Sequence, residues 1–176
     1  MTINRLRLHI LLALVVAGCS TGTPLEPAPT ALLTTLPAAG ATAVDVNAQI
    51  EVRFDSPLAP GAGHPIALQV GDCPGPVVAG TWTLTADGKG LTFTSTQPLD
   101  PSTRYTIHVG GGVRDAAAAL VDLDLHGPGL GGTWVTLNMV MGMTSMGMGM
   151  GPLHSGPEWR YPNGMYGLAF AFTTGP

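Results

Sequence analysis

Apolar and polar residues alternate with a period of two in six short segments between residues 49 and 173. Because successive side chains of a strand point to opposite faces, each segment predicts a β-strand with one buried and one solvated face. The predicted buried faces are Ile50, Val52 and Phe54; a weaker segment from Ile66 to Val70; Trp82 and Leu84; Leu91 and Phe93; Tyr105, Ile107 and Val109; and Leu168, Phe170 and Phe172. The opposite face of one strand carries Arg104, Thr106 and His108.

Turn-forming residues separate these segments, at Asp87-Gly88, at 98–101 and at 110–112. The chain has 25 glycines and 16 prolines, which disfavour helices and favour strands joined by turns. The segment Ala116 to Leu120 is helix-like but too short to be stable alone. The sequence therefore predicts an all-β fold, an antiparallel β-sandwich.

The first eighteen residues have the pattern of an export signal. Arg5 and Arg7 precede an apolar run from Leu8 to Ala17, which is short for a membrane-spanning helix but suits the core of a signal peptide. The run ends in Val16-Ala17-Gly18-Cys19, which resembles the lipobox of bacterial lipoproteins. That resemblance implies removal of 1–18, lipidation and acylation (palmitate) at Cys19, and, with Ser20 rather than Asp next, an outer-membrane lipoprotein facing the periplasm. The alternative is an ordinary secretory signal with a chance cysteine.

Residues 19–35 are rich in Pro and Thr and predict a tether, with the folded domain over 36–176. Without the signal, the chain has five basic and eleven acidic side chains, and this acidic balance argues against nucleic acid as a partner. If Cys19 carries lipid, Cys73 has no partner for an internal disulfide. Cys73 is then expected to be a semi-buried thiol in a turn, with a metal ligand or an intermolecular bridge as alternatives.

Several motifs, in order, resemble SbsA-type bacterial Ig-like domains. They are Leu36 to Asn47, Ile50 to Leu58, Gly80 to Leu84, Gly90 to Thr94, Gln97 to Ile107, Val113 to Asp115 and Ala169 to Thr174. The resemblance covers about 36–125 and 167–175 and implies an Ig-like β-sandwich. The segment 126–166 departs from it, as a Met/Gly-rich insertion before the last strand.

The insertion contains the candidate metal ligands. These are Met139, Met141, Met143, Met146, Met148, Met150 and His154. Thioether sulfur suits soft ions such as Cu(I) or Ag(I), and M-x-M spacing in an extended chain places sulfurs on one side. The alternatives are packing into apolar gaps, low-complexity chain without a ligand, or a surface patch for a partner.

A second similarity is to the periplasmic copper-resistance protein C family, a β-sandwich with a Met-rich loop and a "P-x-x-G-A" strand opening. That family begins its mature chain with a His ligand. This chain has Cys19 in that place, so the Cu(II) site of that family is not implied here.

Other polar groups give weaker signals. Asp122 and Asp124 suggest a solvated loop more than a Ca²⁺ site, and His64 and His108 are expected to be exposed and isolated. Trp159, Tyr161 and Tyr166 are expected to pack the insertion onto the sheet, with a contact surface as the alternative.

No nucleophile elbow, phosphate loop or H-E-x-x-H motif occurs, which predicts that the protein is not an enzyme. The first hypothesis is a non-enzymatic Ig-like module, held to the membrane by lipid, that binds or spaces an unidentified envelope partner. The alternative is a periplasmic soft-metal binding protein that uses the Met-rich insertion.

Overall fold

Two four-stranded antiparallel sheets form the part of the chain that the computed structural model describes, residues 28–60, 64–140 and 154–176. The first sheet has the order β1-β2-β5-β4 and the second the order β3-β6-β8-β7. The strands are β1 (Leu32–Leu36), β2 (Ile50–Phe54), β3 (Ile66–Val70), β4 (Gly80–Leu84), β5 (Gly90–Ser95), β6 (Arg104–Val109), β7 (Thr133–Trp134) and β8 (Leu168–Thr173). A four-residue helix, α1 (Leu137–Val140), and two 3₁₀ turns, Pro128–Leu130 and Pro157–Trp159, complete the described elements. The predicted all-β sandwich is confirmed.

The core lies between the two sheets, and the alternating apolar positions supply it. Phe54 of β2 and Leu68 of β3 are fully buried, as is Ile107 of β6. Tyr105 and Phe172 stack with ring centroids 5.7 Å apart, and the Tyr105 hydroxyl accepts the N–H of Asp100 at 2.8 Å. All six strands predicted from the period of two are present, including the weaker one at 66–70.

The predicted tether is too long at its C-terminal end. Residues 32–36 form β1, which pairs with β2, and Leu32 is fully buried in the core. Thr30 is also buried, and its hydroxyl donates to Asp115 at 2.9 Å. The Pro/Thr composition masked this strand, because alternation is weak over five residues with adjacent Leu and adjacent Thr. The folded domain therefore begins by residue 30 and not at 36.

The insertion covers the outer face of the second sheet. Its described parts, 126–140 and 154–166, include β7, α1 and both 3₁₀ turns. Two backbone hydrogen bonds join Val135, just after β7, to the chain that leads into β8. Tyr166 N–H donates to Val135 O at 2.8 Å, and Val135 N–H donates to Gly167 O at 2.9 Å. The face predicted to be solvated is buried here, since Thr106, His108 and Gln69 are at most 1 % exposed.

None of the helices in these described ranges is long and apolar enough to cross a membrane. The segment Ala116 to Leu120 is a turn, in which Asp115 accepts the N–H groups of Ala117 and Ala119 at 2.9 Å each.

Candidate functional site

A second apolar cluster lies on the outer face of the β3-β6-β8-β7 sheet, beneath the insertion. We call it the outer cluster, and it consists of Ala67, Cys73, Val135, Val140, Trp159 and Tyr166, with Met139 and Ala169 partly buried against it. It brings together the strands of the sandwich, the turn after β3 and both described ends of the Met-rich segment. The sequence predicted that aromatic residues of the insertion pack onto the sheet, but it grouped neither Cys73 nor His108 with the insertion.

His108 lies at the centre of this cluster. It faces outward from β6, where Ala67 of β3 is its register partner on one side and Ala169 of β8 on the other. These two small side chains leave room above the sheet for the rings of His108 and Trp159, whose centroids are 4.6 Å apart. The Nε2 of His108 donates to the carbonyl of Tyr166 at 2.6 Å.

A glycine places that carbonyl. Gly167 has φ of 91°, a left-handed conformation that favours glycine, and a Cβ there would meet Val109 O at 2.0 Å. The chain can therefore turn into β8 tightly against β6, which sets Tyr166 O directly over His108.

Cys73 and His154 approach the other ring nitrogen of His108. The Sγ of Cys73 lies 3.5 Å from Nδ1 of His108, and Nδ1 of His154 lies 3.2 Å from the same atom. His154 is half-buried and has φ of 61°, in the left-handed region where non-glycine residues are uncommon. Its ring stacks on Trp159 with a centroid distance of 3.8 Å and an angle of 19°.

A buried amide completes the group. Gln69 is fully buried, and its Oε1 accepts the N–H of Gly75 at 3.2 Å. This bond fixes the orientation of the amide, so that Nε2 points at Nδ1 of His154, 2.7 Å away. Gln69 thus links the turn that carries Cys73 to the part of the insertion that carries His154.

Burial keeps these groups neutral. It lowers the pKa of His108 to about 3, although the hydrogen bond to Tyr166 O acts in the opposite direction. Burial also raises the pKa of the Cys73 thiol to about 12, and the carboxylate of Asp72 adds to that shift. The pKa of His154 is lowered by burial, against the attraction of the Glu158 carboxylate. At neutral pH the group therefore offers neutral imidazoles and a thiol.

The predicted ligand residues are only partly described. Met139 lies in α1, partly buried against the outer cluster, and its Sδ accepts the N–H of Thr136 at 3.5 Å. His154 is in the cluster. The predicted ligands Met141, Met143, Met146, Met148 and Met150, and the predicted lipid site Cys19, lie outside the described residues. No three His, Cys, Asp or Glu side chains within the described ranges already form a group that could hold a metal ion.

Several expectations about single residues are resolved. The expectation that His108 is exposed and isolated is wrong, because the insertion buries it, and His64 is half-buried with its Nε2 3.1 Å from Ala59 O. Trp159, Tyr161 and Tyr166 are 8–9 % exposed and pack the insertion onto the sheet, as expected.

Asp122 serves the structure of its loop. Its Oδ1 accepts the N–H groups of Asp124 and Leu125 and the hydroxyl of Tyr161, at 2.9, 3.1 and 3.1 Å. These bonds agree with the expected solvated loop.

Taken together, the strand order, the core and the covered outer face define an antiparallel β-sandwich of the Ig-like class. The chain belongs to the bacterial Ig-like domain family, whose model matches residues 26–124, more than half of the chain. The match begins before β1 and ends before the insertion, so the outer cluster combines family strands with chain that the family model does not cover.

Two solved structures of the surface-layer protein SbsC are similar to this chain. One is the S-layer protein rSbsC(31-844) and the other is surface layer protein SbsC, domains 1-6. Each is 15% identical, covers 54% of this chain and 12% of the other, and has a TM-score of 0.39. This chain thus spans about an eighth of the length of those chains. No curated protein matches this chain in sequence.

Proposed function

We propose that this protein is a lipid-anchored cell-envelope protein, with an Ig-like module that serves non-enzymatic binding or spacing. The observation that carries the proposal is an Ig-like family domain following a lipobox-like cysteine within a short distance. The domain is folded by Thr30, so at most about 40 Å of extended chain separates it from Cys19. Such an anchor would hold the module close to the membrane, facing the periplasm from the outer membrane as Ser20 favours.

Metabolic labelling with radioactive palmitate tests the anchor. We expect label in the wild-type chain and in Cys73→Ser, and none in Cys19→Ala, because Cys19 alone follows the lipobox-like residues. Cys73→Ser is the matched control, since it removes the other cysteine of the chain. Label that persists in Cys19→Ala, or wild-type chain that stays unlabelled and soluble after fractionation, would contradict the proposal.

A second candidate function is soft-metal binding through the Met-rich segment. The observation in its favour is that both described ends of this segment lie at the outer cluster. Val140 belongs to the cluster, and His154 stacks on Trp159 and lies 3.2 Å from Nδ1 of His108. Sulfur and imidazole donors are the combination that Cu(I) and Ag(I) accept.

Titration of the full chain with Cu(I), against a competing chelator and without oxygen, tests this candidate. We expect binding that weakens when Met139, Met141, Met143, Met146, Met148 and Met150 are replaced by Leu. Leucine keeps the apolar volume and removes the sulfur. Equal affinity of the wild-type and the leucine variant would contradict the candidate.

A further inference from the structure

Three of the four sheet edges in the described part of the chain are protected. β1 has an irregular register between its first and third residues, and Pro37 follows its last residue. The edge of β3 is covered by residues 76–78, which make two backbone hydrogen bonds of 2.9 Å to it. β7 has only two residues, and next to it the chain at 40–44 bonds to β8. Bulges, prolines, covers and short strands are devices that keep sheet edges from pairing with other chains.

The fourth edge, β4, carries none of these devices. Its five residues, Gly80–Leu84, keep a regular register with β5 and include no charged residue and no proline. No backbone hydrogen bond reaches the outer side of β4 from residues 28–60, 64–140 or 154–176. Trp82 and Leu84 pack against the core but stay partly exposed, since they lie on the last strand of the sheet. β4 is therefore open to pairing with a further strand.

The bonds to β5 determine which backbone groups lie at this open edge. Ala79 and Thr85, the residues on either side of β4, make backbone hydrogen bonds of 3.0 and 2.9 Å to residues 90–96. Because backbone groups alternate between the two sides of a strand, the other odd positions also bond to β5, and the even positions point away from it. The even positions are Gly80, Trp82 and Leu84. The edge thus presents three N–H donors and three C=O acceptors.

We propose that this edge pairs with the same edge of a second copy of the chain, antiparallel and centred on Trp82. With this centre, Trp82 lies opposite Trp82 of the second copy, and Gly80 lies opposite Leu84. The three donors of each copy then meet the three acceptors of the other. A shift of the register by two residues leaves one edge residue of each β4 without such a partner, so the hydrogen bonds favour this register.

The side chains on the core side fit the same register. Leu84 lies opposite Gly80 of the second copy, which has no side chain, and the ring of Phe93 fills the place where a Cβ of Gly80 would be. The two Trp82 rings become neighbours across the two-fold axis, and each already packs on Phe93 with centroids 5.1 Å apart. Pairing would cover the parts of Trp82 and Leu84 that are now exposed, which is favourable.

The outer side and the charges fit a second copy as well. Thr81 lies opposite Thr83 of the second copy, and such threonine pairs stabilise antiparallel strands. Asp87, the first charged residue after β4, lies beside the exposed Val77 of the second copy in the antiparallel arrangement. A parallel arrangement would place the two Asp87 carboxylates side by side. The edge itself is uncharged, so its partner strand must be uncharged too, and β4 meets that condition.

The size of the contact sets its strength. One strand of five residues buries less than the roughly 1,200 Å² at which stable interfaces begin, so the dimer is weak in dilute solution. A lipid anchor at Cys19 would hold the copies on one surface and raise their effective concentration. Pairing of this kind goes beyond the proposed function and does not require the anchor.

Disulfide trapping tests the register, with the full chain in detergent and Cys19→Ala throughout. Thr81→Cys is mixed with Thr83→Cys, since opposite positions have Cα atoms about 4.5–5.5 Å apart, within reach of a disulfide. The same position in two copies is a diagonal pair at about 7–8 Å, which is too far. We expect the mixture to give at least about fivefold more cross-linked dimer than either variant alone. The chain with Cys19→Ala only, which keeps the buried Cys73, measures the background.

Added charge tests whether β4 is the contact. Thr81→Lys combined with Thr83→Lys places like charges opposite each other in the dimer. The matched control is Thr94→Lys combined with Thr92→Lys, at the register partners of those threonines on β5, one strand away from the edge. In sedimentation equilibrium at rising concentration, we expect the chain with unchanged threonines and the β5 variant to dimerise alike. The β4 variant should dimerise at least about tenfold more weakly.

Several results would overturn the inference. Equal cross-linking in the mixture and in the single variants would indicate random collision in the micelle, and stronger cross-linking of Thr81→Cys alone would indicate parallel pairing. Equal weakening by both lysine pairs would place the contact elsewhere. A chain that stays monomeric at every concentration would leave the edge to a different protein. None of these results bears on lipidation, because every chain in this test lacks Cys19.

Discussion

Single side chains fix the turn between β4 and β5. Oδ1 of Asp87 accepts the hydroxyl of Thr85 at 2.6 Å and the N–H of Lys89 at 3.0 Å, and Oδ2 pairs with Arg53 of β2. The Thr85 hydroxyl, then the Lys89 N–H and Arg53, hold the pKa of the Asp87 carboxyl well below its usual range. Because the folded state prefers the ionised form, this carboxylate stabilises the domain above the pKa of the unfolded state, about 3.9.

We therefore expect Asp87→Asn to lower the stability of the domain at pH 7, by a small amount because the group is exposed. The stabilisation by the wild-type carboxylate is lost as pH falls below about 4 toward the folded pKa, so the two proteins should converge there. Urea unfolding at pH 7, 4 and 2 measures the difference. Asp45→Asn, which removes an exposed carboxylate that accepts the N–H of Asn47 at 2.7 Å, is the control. A difference that stays constant from pH 7 to pH 2 would rule out this role.

At the scale of elements, the period of two predicted the strands that form the core. It succeeded for β2, β3, β5, β6 and β8, where inward positions are large and apolar, and for β4, where Trp82 and Leu84 are only partly buried. It missed β1, in which Leu and Thr occur in adjacent pairs, and β7, which has two residues. Those two strands are recognisable only from their pairing with β2 and β8, which the linear pattern does not contain.

The sequence does contain a signal for the covered outer face. Outward positions of β2 are charged, Glu51 and Arg53, and form an ion pair. Outward positions of the β3-β6-β8 sheet are small or uncharged, except for Arg104 at the start of β6, which pairs with Asp72. Those positions are Ala67, Gln69, Thr106, His108, Ala169 and Ala171. A solvated face would carry more charge, so this composition indicates a cover. Alternation alone predicts that the outward face of each sheet is solvated, which is why His108 was expected to be exposed.

For the molecule as a whole, the candidate site depends on parts of the chain far apart in sequence. Cys73 follows β3, His108 lies in β6 and His154 lies within the insertion, after the methionines. Sequence reasoning found His154 because it lies near the methionines, but nothing in the spacing of Cys73 and His108 predicts that they meet. The register of β3 with β6, and the hydrogen bond from His108 to Tyr166, create that contact. The family match ends at residue 124, so the insertion adds this site to a common sandwich.

The limits of the domain give the last prediction. A chain that begins at residue 28 retains β1, whereas a chain that begins at residue 37 lacks it and exposes the edge of β2 and the pocket of Leu32. Removing one fully buried leucine costs about 2–5 kcal/mol, a large part of the 5–15 kcal/mol typical of a domain, so we expect the shorter chain to be largely unfolded.

In the longer chain, Leu32→Ala should lower the free energy of unfolding by about 2–5 kcal/mol. Leu33, on the same strand, is 47 % exposed, so Leu33→Ala should lower the free energy of unfolding by about 0.5 kcal/mol or less. Urea titration followed by tryptophan fluorescence measures all four chains. Equal midpoints for the two starting points would mean that residues 28–36 are tether after all and that the sandwich is complete from residue 37.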